Sequence, residues 1–139
     1  MPEARRFDFS SAAGARAGEA SLLPWLPVTL ARRSLSVRAD GLLDTGATVN
    51  VLPWRLGVEL GAIWEDCRTT VSLAGNLNHL EARILTLDAA AGPFAPARLA
   101  FAWTRAVDVP LVLGQVNFFM EFDVCFHRSR RFFEVKPKP

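Results

Sequence analysis

The sequence predicts a mostly β domain with one or two short helices, and three features indicate this class. Apolar and polar residues alternate over 26–30 and again over 35–37, which is typical of a β-hairpin with one buried face. The apolar pair at 42–43 ends abruptly in Asp44, as a buried strand does where it meets a turn. The clearest helical pattern is short, because Pro opens it and Gly closes it over 53–61.

The whole chain divides into one folded domain and two short ends. With 139 residues, half of them hydrophobic, it can bury a core as a single domain. Residues 1–20 show no periodicity, so we expect a flexible N-terminal arm, followed by the domain over 21–135 and a solvated C-terminal tail over 136–139. The other predicted elements are strands over 69–73, 82–87, 98–103 and 111–114, a short helix over 115–122, and a terminal hairpin over 123–135.

Two predicted helices have a face that we expect to lie in the core. In the first, Leu56 and Leu60 are four residues apart and should point inward together. In the second, we expect Val116, Phe119 and Met120 to be buried, with Phe122 as a further candidate.

Composition argues against nucleic-acid and membrane functions. The net charge is only +2, and the basic residues cluster only at 5–6, 32–33 and 128–131, so no nucleic-acid partner is predicted. There is no apolar run of signal-peptide or membrane-span length, which favours a cytoplasmic protein with no membrane partner. Arg greatly outnumbers Lys, a bias typical of GC-rich bacterial genomes.

No metal or other cofactor is predicted. His79 and His127 are isolated from each other and from Cys67 and Cys125, so there is no ligand spacing. The two cysteines can form a disulfide or remain two buried thiols, and we favour thiols.

Two separated motifs point to a family. The first is the Leu-Leu-Asp-Thr-Gly-Ala segment at 42–47, and the second is Val-Leu-Gly at 112–114. Together they resemble the retropepsin-like aspartic proteases, in which a hydrophobic-hydrophobic-Asp-Thr-Gly-Ala segment is paired with a later hydrophobic-hydrophobic-Gly segment. The resemblance covers roughly residues 25–135. It implies a closed acid-protease β-barrel with a flap hairpin.

The resemblance also assigns roles to residues of this chain. It implies that Asp44 is the catalytic carboxylate. The active-site loop would be Thr45, Gly46 and Ala47, with Leu113 and Gly114 supporting it. In such enzymes a hairpin closes over the substrate as a flap, and the matching substrate-binding residues here are Gly75, Asn76 and Leu77. An ordinary exposed β-turn remains the alternative for that hairpin. Asn117 follows the second motif and is given no role.

One aspartate is not enough for this chemistry. Hydrolysis by carboxylates needs two acids that share a proton, and no other Asp in the chain is followed by Thr-Gly or Ser-Gly. We therefore predict a homodimer in which Asp44 of each copy supplies one carboxyl across a two-fold axis, as in small members of the family.

The predicted function is thus an aspartic endopeptidase that cleaves an extended peptide or protein substrate. The alternative is a non-catalytic peptide-binding or dimerisation module on the same fold.

Overall fold

The computed structural model describes residues 2–11, 22–73 and 80–139. Over these residues the chain forms strands and two short α-helices, which confirms the mostly β class. The elements are β1 (Arg5–Asp8), β2 (Trp25–Arg32), β3 (Leu35–Leu43), β4 (Asn50–Leu52), α1 (Trp54–Glu59), β5 (Thr70–Ser72), β6 (Glu81–Ala91), β7 (Ala97–Thr104), β8 (Leu111–Leu113), α2 (Phe118–Glu121), β9 (Phe122–His127) and β10 (Phe132–Pro137).

Six strands close into a barrel. Their order is β2-β3-β8-β4-β7-β6, and β6 pairs again with β2, so that Leu30 lies opposite both Val37 and Ala89. β5 pairs with the first residues of β6, whereas β2 pairs with its last residues. The alternating apolar residues of the strands fill the interior, among them the fully buried Leu26, Leu30, Leu52, Leu87, Leu99 and Phe101. A closed β-barrel was predicted, and it is present.

Helix α1 packs on one wall of the barrel as predicted. Leu56 and Leu60 are fully buried, and the chain leaves the helix through Gly61 at φ +72°, a conformation that glycine adopts without strain. Gly57 lies against the indole of Trp103, where an added Cβ would come within 2.2 Å of the ring. This contact fixes α1 close to β7.

The second sheet corrects the predicted N-terminal arm. It has the order β1-β10-β9, and Phe7 of β1 stacks on Phe133 of β10 with ring centroids 5.5 Å apart. Residues 5–8 are therefore part of the fold rather than a flexible arm. A four-residue strand with one apolar side chain has too little local pattern to be recognised, and its pairing with β10 lies far away in sequence.

The predicted C-terminal tail is also partly structured. β10 continues through Lys136 and Pro137, and the ammonium of Lys138 lies 3.0 Å from the Glu121 carboxylate. A tail of Lys and Pro has no apolar periodicity, so only the tertiary neighbours reveal this order.

The helix predicted over 115–122 is shorter than expected, and two of its residues face the other way. Phe118 and Phe122 are buried and stacked 4.8 Å apart, whereas Val116 is 52% and Met120 is 61% exposed. The helix begins only at Phe118, so its inward face has a different phase from the one that we assumed. The prediction of inward Val116 and Met120 was wrong.

Both cysteines are free thiols, Cys67 half-buried and Cys125 exposed, so a buried position was wrong for Cys125. Within the described ranges, no three His, Cys, Asp or Glu side chains converge as metal ligands would. None of the helices in these ranges has the length and apolar character needed to cross a bilayer.

Candidate active site

Asp44 lies directly after β3, beside the second motif. β3 and β8 are parallel neighbours in which Leu42 pairs with Val112 and Leu43 with Leu113. The Asp44 N–H donates to the carbonyl of Leu113 across 3.0 Å. Two motifs that are about seventy residues apart in sequence are thus adjacent strands, and their ends meet at Asp44.

The turn after β3 holds the Asp44 side chain. Its Oδ1 accepts a hydrogen bond from the Gly46 N–H at 2.9 Å, and the Ala47 N–H donates to the Asp44 carbonyl at 3.1 Å. Asp44 is half-buried, while Thr45 and Gly46 are exposed. The carboxylate is therefore oriented by its own backbone at the surface of the single chain.

The backbone of Gly114 packs tightly against the loop that follows Asp44. A Cβ at Gly114 would lie 2.6 Å from the carbonyl oxygen of Val49 and 2.8 Å from that of Ala47. Only glycine lets the two backbones approach this closely. The structure thus brings together the predicted loop residues and the predicted supporting residue Gly114.

The residues after Gly114 are also hydrogen-bonded to the Asp44 loop. The Gln115 N–H donates to Ala47 O at 2.9 Å, and the Val116 N–H donates to Thr48 O at 2.8 Å. The Gln115 side-chain amide adds a bond to Thr45 O at 2.9 Å. Successive residues of the two segments are bonded, so the loop and the segment at 114–116 form one unit.

Two asparagines that sequence reasoning left without a role stabilise this unit. Asn50 is fully buried, its Oδ1 accepts from the Gly114 N–H at 2.8 Å, and its Nδ2 donates to Ala100 O at 3.0 Å. Its Nδ2 also donates to Asn117 Oδ1 at 3.2 Å, which in turn accepts from the Ala100 N–H at 3.1 Å. A signal for Asn50 was available, because it is the one amide within the apolar run at 49–52.

An apolar cluster lies next to the loop. Val49 is in the loop itself, and Val112 pairs with the strand that ends at Asp44. Both pack, together with Val71, against four buried side chains, namely Val51, Leu73, Ala82 and Ala102. Two partly buried members of this cluster, Val49 and Val112, therefore lie in the loop that follows Asp44 and on the strand beside β3.

The two strands of the predicted flap hairpin are present. β5 and β6 pair in antiparallel fashion with Ser72 opposite Glu81, and the Leu73 N–H donates to Leu80 O at 2.9 Å. The hairpin prediction is confirmed for its two strands. Its tip, with the predicted substrate-binding residues Gly75, Asn76 and Leu77, lies outside the described residues.

The depressions beside α1 are separate from this site. One has a volume of about 240 Å³ and the other about 360 Å³, and both are lined by Pro53, Arg55 and Val109 but not by Asp44. The candidate site therefore lies outside both depressions.

Comparison with known proteins does not identify a family for this chain. No protein-family model matches the chain, and no curated protein matches it either. The functional assignment accordingly depends on the geometry of the Asp44 loop.

Proposed function

We propose that the protein is a homodimeric aspartic endopeptidase, with Asp44 of both copies forming the catalytic pair. One observation carries the proposal. The Asp-Thr-Gly-Ala turn is bonded through Asp44 to Leu113 and packs directly on Gly114, so the two segments of the sequence resemblance are also neighbours in the fold.

The chemistry follows from two carboxyls placed about 3 Å apart, which share one proton because both cannot ionise readily. The ionised Asp44 removes a proton from water, and the water oxygen attacks the peptide carbonyl carbon. The protonated Asp44 of the other copy donates to the carbonyl oxygen. When the intermediate collapses, the Asp44 that took the proton from water gives it to the amide nitrogen, and the C–N bond breaks. One hydroxyl of the intermediate returns its proton to the other Asp44 as the carbonyl re-forms, so the pair again holds a single proton.

The second carboxyl must come from another copy of the chain. The sequence has one Asp-Thr-Gly, and the turn presents a single carboxylate that is already oriented by the Gly46 N–H. A two-fold axis beside Asp44 would supply an identical group, and closed two-fold dimers are the commonest oligomers.

The neighbouring surface supports a peptide substrate with apolar side chains. Val49 and Val112 present aliphatic surface next to the Asp44 turn. Pockets that are mainly apolar, with a few polar groups at the reacting bond, are typical of sites for extended peptides.

The test is Asp44→Asn, which removes the ionisable group with little change of shape. We expect hydrolysis of a peptide library, assayed by mass spectrometry over a broad pH range, to fall to background, with the dimer intact. Asp88→Asn is the matched control, because Asp88 lies on β6 in an exposed ion pair with Arg98, 3.4 Å away, and should leave the activity unchanged.

Mixing the two proteins tests whether both copies contribute. When subunits exchange freely, a ninefold excess of Asp44→Asn should lower the activity per wild-type chain to about one tenth, because most wild-type chains then have an inactive partner. Unchanged activity per wild-type chain would contradict a shared site. If the wild-type protein cleaves nothing at any pH, the non-catalytic peptide-binding module is the better description.

A further inference from the structure

We propose that the protein binds a small oxyanion, a phosphate or carboxylate group, between the guanidinium groups of Arg83 and Arg105. Both side chains line a cavity of about 350 Å³ at the start of β6. None of the described residues that line this cavity belongs to the Asp44 loop. The inference is therefore independent of the proposed peptidase activity.

Strand pairing places the two arginines side by side. β6 and β7 are antiparallel, with Arg83 opposite Trp103, and Arg105 follows directly after β7. Because alternate residues of a strand share a face, Trp103 and Arg105 lie on the same side of the sheet as Arg83. The Thr104 hydroxyl oxygen accepts from the Ala106 N–H at 3.0 Å, which fixes the backbone on both sides of Arg105.

A buried indole holds both guanidinium groups. The Cζ atoms of Arg83 and Arg105 each lie 4.6 Å from the ring centroid of Trp64, so they are at most about 9 Å apart, twice that distance. Trp64 is only 6% exposed and packs edge-on against Trp103 and Trp54. Cation–π contacts with this packed ring restrict both cations. Two like charges held this close repel each other, and a bound anion would relieve that repulsion.

The charges within the cavity are unbalanced. Among the described residues that line it, Glu81 is the only acid, and its carboxylate lies 3.3 Å from Nε of Arg83. Arg83 also donates to the Trp64 carbonyl at 2.8 Å. Arg105 contacts Trp54 and Trp64 only through its cationic face and has no hydrogen bond or ion pair within the described part of the chain. Its N–H groups are therefore free to donate to a ligand.

The chemistry of arginine identifies the class of ligand. A guanidinium presents its N–H groups in a planar fork that matches two oxygens of a carboxylate or a phosphate. Stacking on an indole occupies the flat face of Arg105 and leaves the in-plane donors available. The cavity is near the lower end of the range of roughly 300–1,000 Å³ that is typical of ligand sites, which favours a small anion over a large cofactor.

The experiment is isothermal titration calorimetry with inorganic phosphate and, separately, with succinate, at an ionic strength kept constant with chloride. We expect saturable binding to the wild type. Arg105→Gln should raise the dissociation constant about tenfold or more, because a charge-assisted hydrogen bond is lost. Arg105→Lys keeps the charge without the fork and should give an intermediate value.

Arg38→Gln is the matched control. Arg38 is exposed on β3 and lines a different cavity, among whose described residues it is the only arginine. This substitution removes the same charge from the protein, and the dissociation constant should stay within about twofold of wild type. Circular dichroism and the melting temperature establish that each variant is folded.

The outcomes distinguish the source of the anion and can overturn the site. Tighter binding of phosphate identifies a phosphate group as the ligand, and tighter binding of succinate identifies a carboxylate. Absence of saturable binding of both anions to the wild type overturns the proposal, as does equal weakening by Arg105→Gln and Arg38→Gln, which would reflect net charge alone. A wild type that binds the anion but cleaves no peptide leaves this site standing while the proposed function fails.

Discussion

Two surfaces of this protein differ in charge and in whether their apolar side chains are covered. The outer sheet face is the solvent side of the β1-β10-β9 sheet, where register places Arg6, Asp8, Cys125, His127, Phe132 and Glu134 together. The uncharged face is a set of six exposed residues without charge near Asp44, namely Thr45, Gly46, Thr48, Gln115, Val116 and Met120. Val116 and Met120 are its two large apolar side chains.

On the outer sheet face, the chain satisfies its own groups. The Arg6 guanidinium lies 3.9 Å from the Phe132 ring centroid and 3.8 Å from the Asp8 carboxylate. His127 Nδ1 accepts from Arg130 at 3.0 Å, because a guanidinium can only donate, which leaves Nε2 to donate to Glu134 at 2.9 Å. The large apolar ring of this face, Phe132, is thus covered by a side chain of the same protein.

The contrast favours a solvent-exposed role for the outer sheet face and a contact role for the face around Asp44. Charges that pair with one another and shield an apolar ring make a complete solvent surface. Exposed aliphatic side chains without any charge, on a backbone fixed by hydrogen bonds, are typical of a surface that a partner covers, which agrees with the dimer that we propose. The following substitutions should therefore have large effects near Asp44 and small effects on the outer sheet.

The largest effect is expected from Gly114→Ala. The new Cβ would press on the carbonyl oxygens of Val49 and Ala47 at 2.6 and 2.8 Å, and backbone atoms cannot move aside cheaply. We expect a loss of about 3 kcal/mol in the free energy of unfolding, measured by urea denaturation, together with loss of hydrolysis.

Gly46→Ala is the matched control from the same loop. Its new Cβ would meet only the Asp44 side chain, at 3.3 Å, so we expect a loss below about 1 kcal/mol. Equal destabilisation by the two substitutions would show that the close packing under the loop is not a special feature of Gly114.

The next effect concerns the buried amides. Asn50→Ala leaves the Gly114 N–H and the Ala100 carbonyl without their side-chain partner and should cost about 2 to 3 kcal/mol. Asn117→Ala should cost less. Because the two side chains bond to each other, the double substitution should cost less than the sum, and chemical denaturation of all four proteins measures the difference. Strict additivity would contradict a shared network.

A smaller effect is expected on the outer sheet face. Arg6→Ala removes a cation–π contact and an exposed ion pair, which together should contribute about 1 kcal/mol or less to the free energy of unfolding. The dimer dissociation constant should not change. A shift of that constant by tenfold would place the interface on this face instead.

The smallest perturbation is thiol labelling of the wild-type protein, which needs no substitution. Burial raises the pKa of Cys67, so less thiolate is present at neutral pH, and its reaction with a disulfide reagent should be slower than that of the exposed Cys125. The Cys67 rate should rise with pH beyond the range where an ordinary thiol levels off. Cys125 should react equally fast in dilute and concentrated protein, because the proposed dimer leaves the outer sheet open; protection at high concentration would contradict that.

Local pattern predicted several strands and the first helix of the barrel, whereas its closure was implied only by the family resemblance. The alternation in β2 and β3, the Pro and Gly at the two ends of α1, and the abrupt end of the apolar run at Asp44 each report on neighbours within a few residues. Such signals depend on side-chain period and backbone stereochemistry, which the sequence contains directly. The position of Asp44 at a strand end was determined in the same way.

Only tertiary structure decided the features that depend on distant partners. Arg5–Asp8 is a strand because β10 pairs with it. Asn50 stabilises the Asp44 loop because Gly114, Ala100 and Asn117 bond to it from two other segments of the chain. Val116 is exposed because its backbone bonds to the Asp44 loop rather than beginning α2. Periodicity cannot report hydrogen bonds between segments fifty or more residues apart, because the energy that selects them exists only after the chain has folded.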